Sequence, residues 1–193
     1  MATPVTTRET RAPTRPSSPI WWRARCRPTT PAVDAGLGRR TTLELVTDYK
    51  ESAQITINAP ASAVFAILRD PAQHVRIDGS GTVVAQVQEG TQLELGSKFG
   101  MKMRNGVPYT MTNRVVEFEQ DQLIAWRHMG AHRWRYELEP TDTGTIVTET
   151  WDLSRHNPVA KRALYLAFGR RTRKAIEATL VKLKAAAEAD AAS

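Results

Sequence analysis

Residues 95–157 hold a series of runs of strand-forming residues, each ended by a turn signal, and lead directly into a long helical segment. Met101 and Met103 alternate with charged residues in one run, and Trp134 and Tyr136 do so in another. Period-two alternation predicts a sheet with one apolar and one solvated face. An apolar face of Met, Trp, Tyr and Phe suits the lining of a hydrophobic cavity better than it suits a close-packed core. The stretch therefore predicts a ligand-binding α+β domain.

Six strand-like runs follow one another with short connections, and this order predicts an antiparallel meander. After the second run, Asn105-Gly106 predicts a hairpin with a type I′ turn, in which both central residues have positive φ. The six runs are residues 82–88, 98–104, 110–119, 123–128, 133–140 and 145–153.

A seventh strand and two short helices are predicted ahead of the meander. The strand covers residues 54–58. Pro60 follows it and is placed in the first turn of a helix, a position that proline favours. Asp70-Pro71 ends this helix, and a second short helix through His74 is expected.

The last segment, residues 157–188, predicts a single long helix. Asn157 can cap it through its side-chain oxygen, and Pro158 stands at the first helical position. Its apolar residues fall on one stripe at helical spacing, so the helix is expected to lie across the sheet. The stripe comprises Leu164, Phe168, Thr172, Ala175, Ile176, Thr179 and Leu183.

Residues 1–45 predict a disordered basic tail, and residues 46–190 the folded domain. The tail holds six prolines and no apolar periodicity, so it cannot bury enough surface to offset its ordering entropy. A basic arm for nucleic acid or membrane and an organelle transit peptide are two functional interpretations. A solvated extension is favoured, because the arginines are scattered among prolines.

The order of elements resembles the START-like (SRPBCC) helix-grip superfamily, in particular its polyketide cyclase/dehydrase and lipid-transport-like branch. The resemblance covers about residues 53–188 and rests on the order and spacing of several short segments. It implies a curved antiparallel sheet of about seven strands wrapped on a long C-terminal helix, with a hydrophobic ligand held between them. It implies no catalytic residue. The segments are residues 55–65, 116–118, 124–126, 134–140 and 144–152.

Composition excludes several other classes of protein. The net charge of +7 comes from residues 1–40 and from the last helix, residues 157–188, each with a net of +6, while residues 41–156 carry −4 and Asp190 carries −1. No apolar run reaches the length of a membrane helix, Cys26 is the only cysteine, and no signal peptide is evident, so a cytoplasmic protein is expected. No nucleotide-binding or serine-hydrolase motif is present, and no cofactor is expected.

Acid–base and metal chemistry have few candidate residues. His128 and His132 are separated by a turn at Gly130, and no Cys/His cluster has zinc spacing, so no metal site is predicted. Trp126 and His128 should point inward because Arg127 faces out, and a hydrogen-bonded core histidine is the favoured interpretation of His128.

The inward face of the strand 145–153 stays open. One alternative places Val147, Glu149 and Trp151 inside, and the other Ile146, Thr148 and Thr150. If Glu149 is inside, it is an acid–base candidate with a raised pKa. A solvated or Arg-paired carboxylate is ranked first.

The sequence as a whole favours a binding protein for a hydrophobic small molecule such as a lipid, polyketide or isoprenoid. A cyclase/dehydrase-type enzyme that uses Glu149, His128 or Tyr109 is the alternative, and a regulatory partner protein with a vestigial cavity is a third. The basic face of the last helix is able to contact an anionic membrane. Nucleic acid is disfavoured because stacking aromatics are missing there. The predicted ligand-binding residues are Met101, Met103, Tyr109, Trp126, His128, Trp134, Tyr136, Phe168 and Thr172.

Overall fold

The computed structural model describes residues 49–88, 90, 92–128 and 130–192. The predicted tail, residues 1–45, lies outside the described residues. Seven strands in the described part form one curved antiparallel sheet in the order β1-β7-β6-β5-β4-β3-β2. The predicted meander is confirmed as β2 to β7, and β1 pairs with β7 at the far edge. The strands are β1 Lys50–Ile57, β2 Val83–Gln86, β3 Lys98–Asn105, β4 Val107–Glu119, β5 Leu123–Arg127, β6 Arg133–Thr141 and β7 Gly144–Asp152.

Two short α-helices separate β1 from β2, as predicted. They are α1 (Ala61–Arg69) and α2 (His74–Ile77), joined by a 3-10 turn over Pro71–Gln73. Pro60 is the N-cap residue immediately before α1 and does not lie in the first turn of the helix as predicted. The Asp70 side chain accepts a hydrogen bond from the Ala72 amide at 2.9 Å and so caps the 3-10 turn.

The β3–β4 hairpin differs from the predicted type I′ turn. Of its two tip residues, Gly106 has positive φ, at 79°, and Asn105 does not. The strands pair as far as Asn105 and Val107, which leaves Gly106 alone to reverse the chain. The prediction of a hairpin at this position is confirmed, and the predicted turn type is wrong.

The long helix α3 spans Pro158–Ala191. Its cap is confirmed, because the Asn157 side-chain oxygen accepts from the Ala160 amide at 2.8 Å. The predicted stripe is correct in the C-terminal half and wrong at Phe168, which is 50% exposed. In the N-terminal half the buried position is Gly169, about 100° further around the helix, which lies against Glu51 of β1. The buried residues of α3 are Gly169, Ile176, Thr179, Leu180, Leu183, Ala186 and Ala187.

The hydrophobic core lies between the concave face of the sheet and the helices. Helix α3 packs mainly along β1, with further contacts to α1, α2 and β7. Phe65 of α1 meets Phe118 of β4 edge-on, with ring centroids 5.4 Å apart. In the described part of the chain, no helix is long and apolar enough to cross a membrane.

Candidate functional site

Strand β7 turns Thr145, Val147, Glu149 and Trp151 toward the core, and the alternate residues are partly exposed. This settles the open choice between its two faces. Glu149 is 2% exposed and lies opposite Tyr136 of β6 and Ala53 of β1. The favoured interpretation of Glu149 as a solvated or Arg-paired carboxylate is therefore wrong.

The Glu149 carboxyl is a buried acid with one unused oxygen. Burial raises its pKa to about 8; a hydrogen bond from the Tyr136 hydroxyl opposes this shift, and the charge of Asp78 adds to it. Its Oε2 atom is buried and has no hydrogen-bond partner among the described residues. At neutral pH the group is thus mostly a neutral carboxylic acid, which is able to donate a hydrogen bond.

Tyr136 connects this acid to a stack of aromatic side chains. Burial raises the pKa of its hydroxyl well above the usual value, and the nearby Glu149 charge adds to the effect. The Tyr136 ring stacks on Trp126 at 5.3 Å, and Trp126 meets the edge of Phe99 at 5.8 Å. The aromatic layer holds the hydroxyl in one position beside the carboxyl.

His74 is part of the same layer, although the sequence predicted only that it belongs to a short helix. It is 8% exposed, its ring stacks on Trp126 at 5.0 Å, and its Nε2 lies 2.9 Å from the Leu68 carbonyl oxygen. Burial lowers its pKa, so it is held neutral. A helix of four residues is too short for apolar periodicity, so no sequence pattern indicated that this side chain is buried.

His128 is a hydrogen-bonded histidine at the edge of the core. Its Nδ1 lies 2.9 Å from the Asn113 side-chain oxygen, and its Nε2 accepts from the Trp134 indole at 3.4 Å. The proton is therefore assigned to Nδ1. Burial, with a smaller contribution from His132, lowers its pKa to about 4. This favours the interpretation of His128 as a structural residue.

His128 belongs to a group of three neighbouring histidines, with His132 and His156. The His128 and His132 rings are 4.5 Å apart, and His132 stacks on His156 at 5.7 Å. Within the described ranges, no group of three or more His, Cys, Asp or Glu side chains is arranged to hold a metal. The absence of a metal stays a prediction, which elemental analysis of untagged protein tests.

The predicted ligand-binding residues occupy three levels of burial. Met101, Trp126 and Tyr136 are fully in the core. Four are half-buried and two are exposed, Tyr109 at 39% and Phe168 at 50%. The fold brings Trp126, Trp134 and Tyr136 together with His128, whereas Phe168 and Thr172 lie on α3. The half-buried residues are Met103, His128, Trp134 and Thr172.

Core side chains fill much of the space in which a cavity was predicted. Tyr136, Trp126, Phe99 and His74 stack or meet edge-on beneath the helices. An open depression of about 400 Å³ lies instead on the outer face of the sheet, where its lining includes charged groups such as Arg135. An apolar ligand between the sheet and the helix therefore has to bind at the end of the inner face where the side chains are only half-buried.

Known proteins resemble this chain in sequence and in fold. A family model described as polyketide cyclase/dehydrase and lipid transport matches residues 49–188. The uncharacterized protein Rv0088 of Mycobacterium tuberculosis is 38% identical over 160 residues. That match covers 80% of this chain and 66% of the relative, so the chain spans just under two thirds of the relative's length.

Two solved structures share the fold at low sequence identity. Protein Ms6760 from Mycobacterium smegmatis has a TM-score of 0.59 and 15% identity, covering 74% of this chain and 93% of its own. Protein NE0264 from Nitrosomonas europaea has a TM-score of 0.58 and 16% identity, covering 75% and 97%. The resemblance to the helix-grip superfamily is confirmed, and the chain belongs to the polyketide cyclase/dehydrase and lipid transport family.

Proposed function

We propose that this protein binds a hydrophobic small molecule, of lipid, polyketide or isoprenoid type, between the inner face of the sheet and the first half of α3. The family has a fold suited to hydrophobic ligands. One observation carries the proposal for this chain. The aromatic inner face passes from buried Tyr136 to half-buried Trp134 along a single strand, so apolar surface continues toward the end of the sheet.

Strand directions indicate where this site opens. Because the sheet is antiparallel, the β3–β4 hairpin, the β5–β6 loop and the junction of β7 with α3 all lie at one end. Met103 and Tyr109 are directly opposite each other near the hairpin tip, and both keep solvent exposure. Helix α3 packs chiefly on β1, toward the opposite edge of the sheet from these two strands. The proposed entrance lies at this end.

Native mass spectrometry of the protein purified from its own host tests the proposal. A co-purified lipid-like or polyketide-like molecule, released when the protein is denatured, is the expected result. Protein of bare chain mass that also binds no apolar probe in titration would contradict it.

The enzymatic alternative rests on Glu149. A carboxyl whose pKa is raised to about 8 and that touches a tyrosine hydroxyl is suited to proton transfer near neutral pH. The other two candidates fit less well, because His128 is engaged by two neighbours and Tyr109 lies near the hairpin tip. Turnover of a polyketide-like substrate that Glu149→Gln abolishes, with binding retained, would favour the enzyme. A solid core that takes up no ligand would favour the regulatory protein.

Peripheral contact with an anionic membrane is the proposed route of ligand exchange for a cytoplasmic protein. Residues 158–174 of α3 carry six basic and no acidic side chains, although the helix dipole disfavours cations near a helix N-terminus. Val159 and Leu166 on the same half are 79% and 76% exposed. Cations flanking exposed apolar groups favour anionic lipid.

Sedimentation with phosphatidylglycerol vesicles, compared with phosphatidylcholine vesicles, tests the membrane contact. Binding to the anionic vesicles that weakens with salt and with Arg170→Glu/Lys174→Glu is expected. The matched control is Lys102→Glu, an exposed charge reversal on β3. Equal sedimentation with both vesicle types, or preference for RNA over vesicles, would contradict it.

A further inference from the structure

Burial of Glu149 is costly, because its described neighbours provide a hydrogen-bond partner for only one of its two oxygens. A buried polar atom without a partner loses its hydrogen bonds to water and gains none in return. Glu149 is 2% exposed, Tyr136 engages its carboxyl group, and among the described residues Oε2 has no hydrogen-bond partner. A Met or Leu at this position would match the other aromatic and aliphatic side chains on the inner face of the sheet. An oxygen in this state is able to take a hydrogen-bond partner from a bound molecule.

The residues opposite Glu149 on the two neighbouring strands differ in size. Its neighbour across β1 is Ala53, a small and only partly buried side chain, whereas Tyr136 fills the β6 side. From the helical side, the α2–β2 connection approaches with Asp78. That connection is held on α3 by a hydrogen bond from the Gly79 amide to the Thr179 hydroxyl at 3.0 Å. The Glu149 carboxyl thus lies on the face of the sheet that the helices cover.

We propose that the free oxygen of Glu149 donates a hydrogen bond to a carbonyl oxygen of the bound hydrophobic molecule. The inference rests on the proposed ligand-binding function and narrows the ligand class to apolar compounds that carry a ketone, ester or similar acceptor. No covalent step is involved. The Tyr136 hydroxyl donates to one carboxyl oxygen, so the acid proton stays on the other, where the ligand accepts it.

Burial keeps Glu149 in this donor form, and the charge of Asp78 at the end of α2 adds to the effect. The hydrogen bond from Tyr136 of β6 acts in the opposite direction. Glu51, the other buried carboxylate of the inner face, lies opposite Trp151 and is engaged by Tyr165 and Arg173 of α3. No described cation is among the groups that shift the Glu149 pKa, and that pKa is raised to about 8. Affinity for a carbonyl ligand is therefore highest below pH 8 and falls above it.

Two fluorescent probes separate this inference from the proposed function. Prodan is an apolar naphthalene ketone, and N-phenylnaphthylamine is an apolar probe without a carbonyl. Each is titrated into the full chain, wild type and the variants Glu149→Gln and Glu149→Leu, below and above pH 8. Gln keeps a neutral donor of similar shape, whereas Leu removes the polar group. Thermal melts confirm that each variant is folded.

We expect Glu149→Leu to weaken prodan binding about tenfold, the equivalent of one neutral hydrogen bond, and to leave N-phenylnaphthylamine within about twofold. Glu149→Gln should retain prodan binding and lose the decline above pH 8. If neither probe binds the wild type, the proposed function fails and this inference with it. If both bind and Glu149→Leu changes neither, the inference alone is overturned. Equal loss with Gln and Leu would overturn the donor role.

Discussion

The Tyr136 hydroxyl and the Glu149 carboxyl face each other across β6 and β7, on the buried side of the sheet. The contact joins an acid that burial keeps protonated to an aromatic layer that fixes its position. Sheet register alone sets this pairing, because the two residues are directly opposite in the antiparallel ladder. The proposed ligand chemistry of the protein depends on it.

The first prediction concerns Glu149 and the pH dependence of stability. Its pKa in the folded protein, about 8, lies above the ordinary value of 4.5, so its neutral form is favoured by folding. The stability it contributes is fully present below pH 4.5 and is lost as pH rises toward 8. Glu149→Gln cannot ionise and should gain stability over wild type across this window, by roughly 1.4 kcal/mol per unit of pKa difference.

Urea unfolding at pH 4.5 and above pH 8 measures this difference. The matched control is Glu119→Gln, an exposed carboxyl at the end of β4, which should show no comparable pH-dependent gain. A stability difference between Glu149→Gln and wild type that does not change with pH would refute the buried-acid account.

The second prediction concerns His74, whose pKa is lowered by burial from the ordinary 6.5. Its neutral form is favoured in the folded state, so stability is present above pH 6.5 and is lost as pH falls below it. His74→Phe keeps a ring against Trp126 and cannot be protonated. It should be less stable at neutral pH, by about 1–3 kcal/mol, because the Leu68 carbonyl loses its partner.

Chemical unfolding over the acidic range provides the check for His74. The free energy of unfolding of His74→Phe should decline less steeply with falling pH than that of the wild type. Parallel declines would show that His74 is not held neutral by the fold.

The third prediction concerns Gly79, where the α2–β2 connection touches α3. A Cβ there would lie 2.3 Å from the Thr179 amide nitrogen and 2.4 Å from the Ala175 carbonyl oxygen. The backbone of a helix cannot move away from an added Cβ as a flexible side chain can. Gly79→Ala should therefore lower the free energy of unfolding by about 1–3 kcal/mol. Gly100→Ala is the control, since its Cβ would meet the Val87 side chain at 2.9 Å.

Thermal melts of both glycine variants distinguish the two cases. The melting temperature of Gly79→Ala should fall by several degrees and that of Gly100→Ala by less. Equal melting temperatures for Gly79→Ala and wild type would mean that the connection is not held on the helix.

The fourth prediction concerns residues 1–40. Their composition lacks apolar periodicity, so their deletion should leave the melting temperature within a few degrees. A large loss of stability on truncation would indicate instead that Ile20, Trp21 and Trp22 dock on the domain.

Sequence patterns predicted the meander because its strands alternate charged and apolar residues, as around Trp134. They missed the start of β1 at Lys50, because 50–53 has no apolar pattern and pairs with β7 through backbone hydrogen bonds. The side of α3 was misjudged at Phe168, because Gly169 carries no apolar signal yet lies against β1. The close approach of Gly169 to β1 depends on tertiary packing, which the periodicity of the sequence does not reveal.

The chemistry of the site was harder to predict than its location. Both faces of β7 mix apolar residues with Thr or Glu, so alternation could not decide whether Glu149 points inward. The pairing with β1 and β6 decides it, and that pairing is not local in sequence. His74 was missed for a related reason, since its burial follows from stacking on Trp126.

Titration of wild type and Trp134→Ala with N-phenylnaphthylamine, beside a thermal melt of each, tests the central claim most directly. The control is Val181→Ala, an exposed apolar truncation further along α3. We predict that the wild type binds the probe and that Trp134→Ala weakens binding, with a smaller loss of stability than the roughly 3–5 kcal/mol expected for a fully packed aromatic. Failure of both proteins to bind, with the full loss of stability in Trp134→Ala, would show a solid core and contradict the claim of a ligand-binding protein.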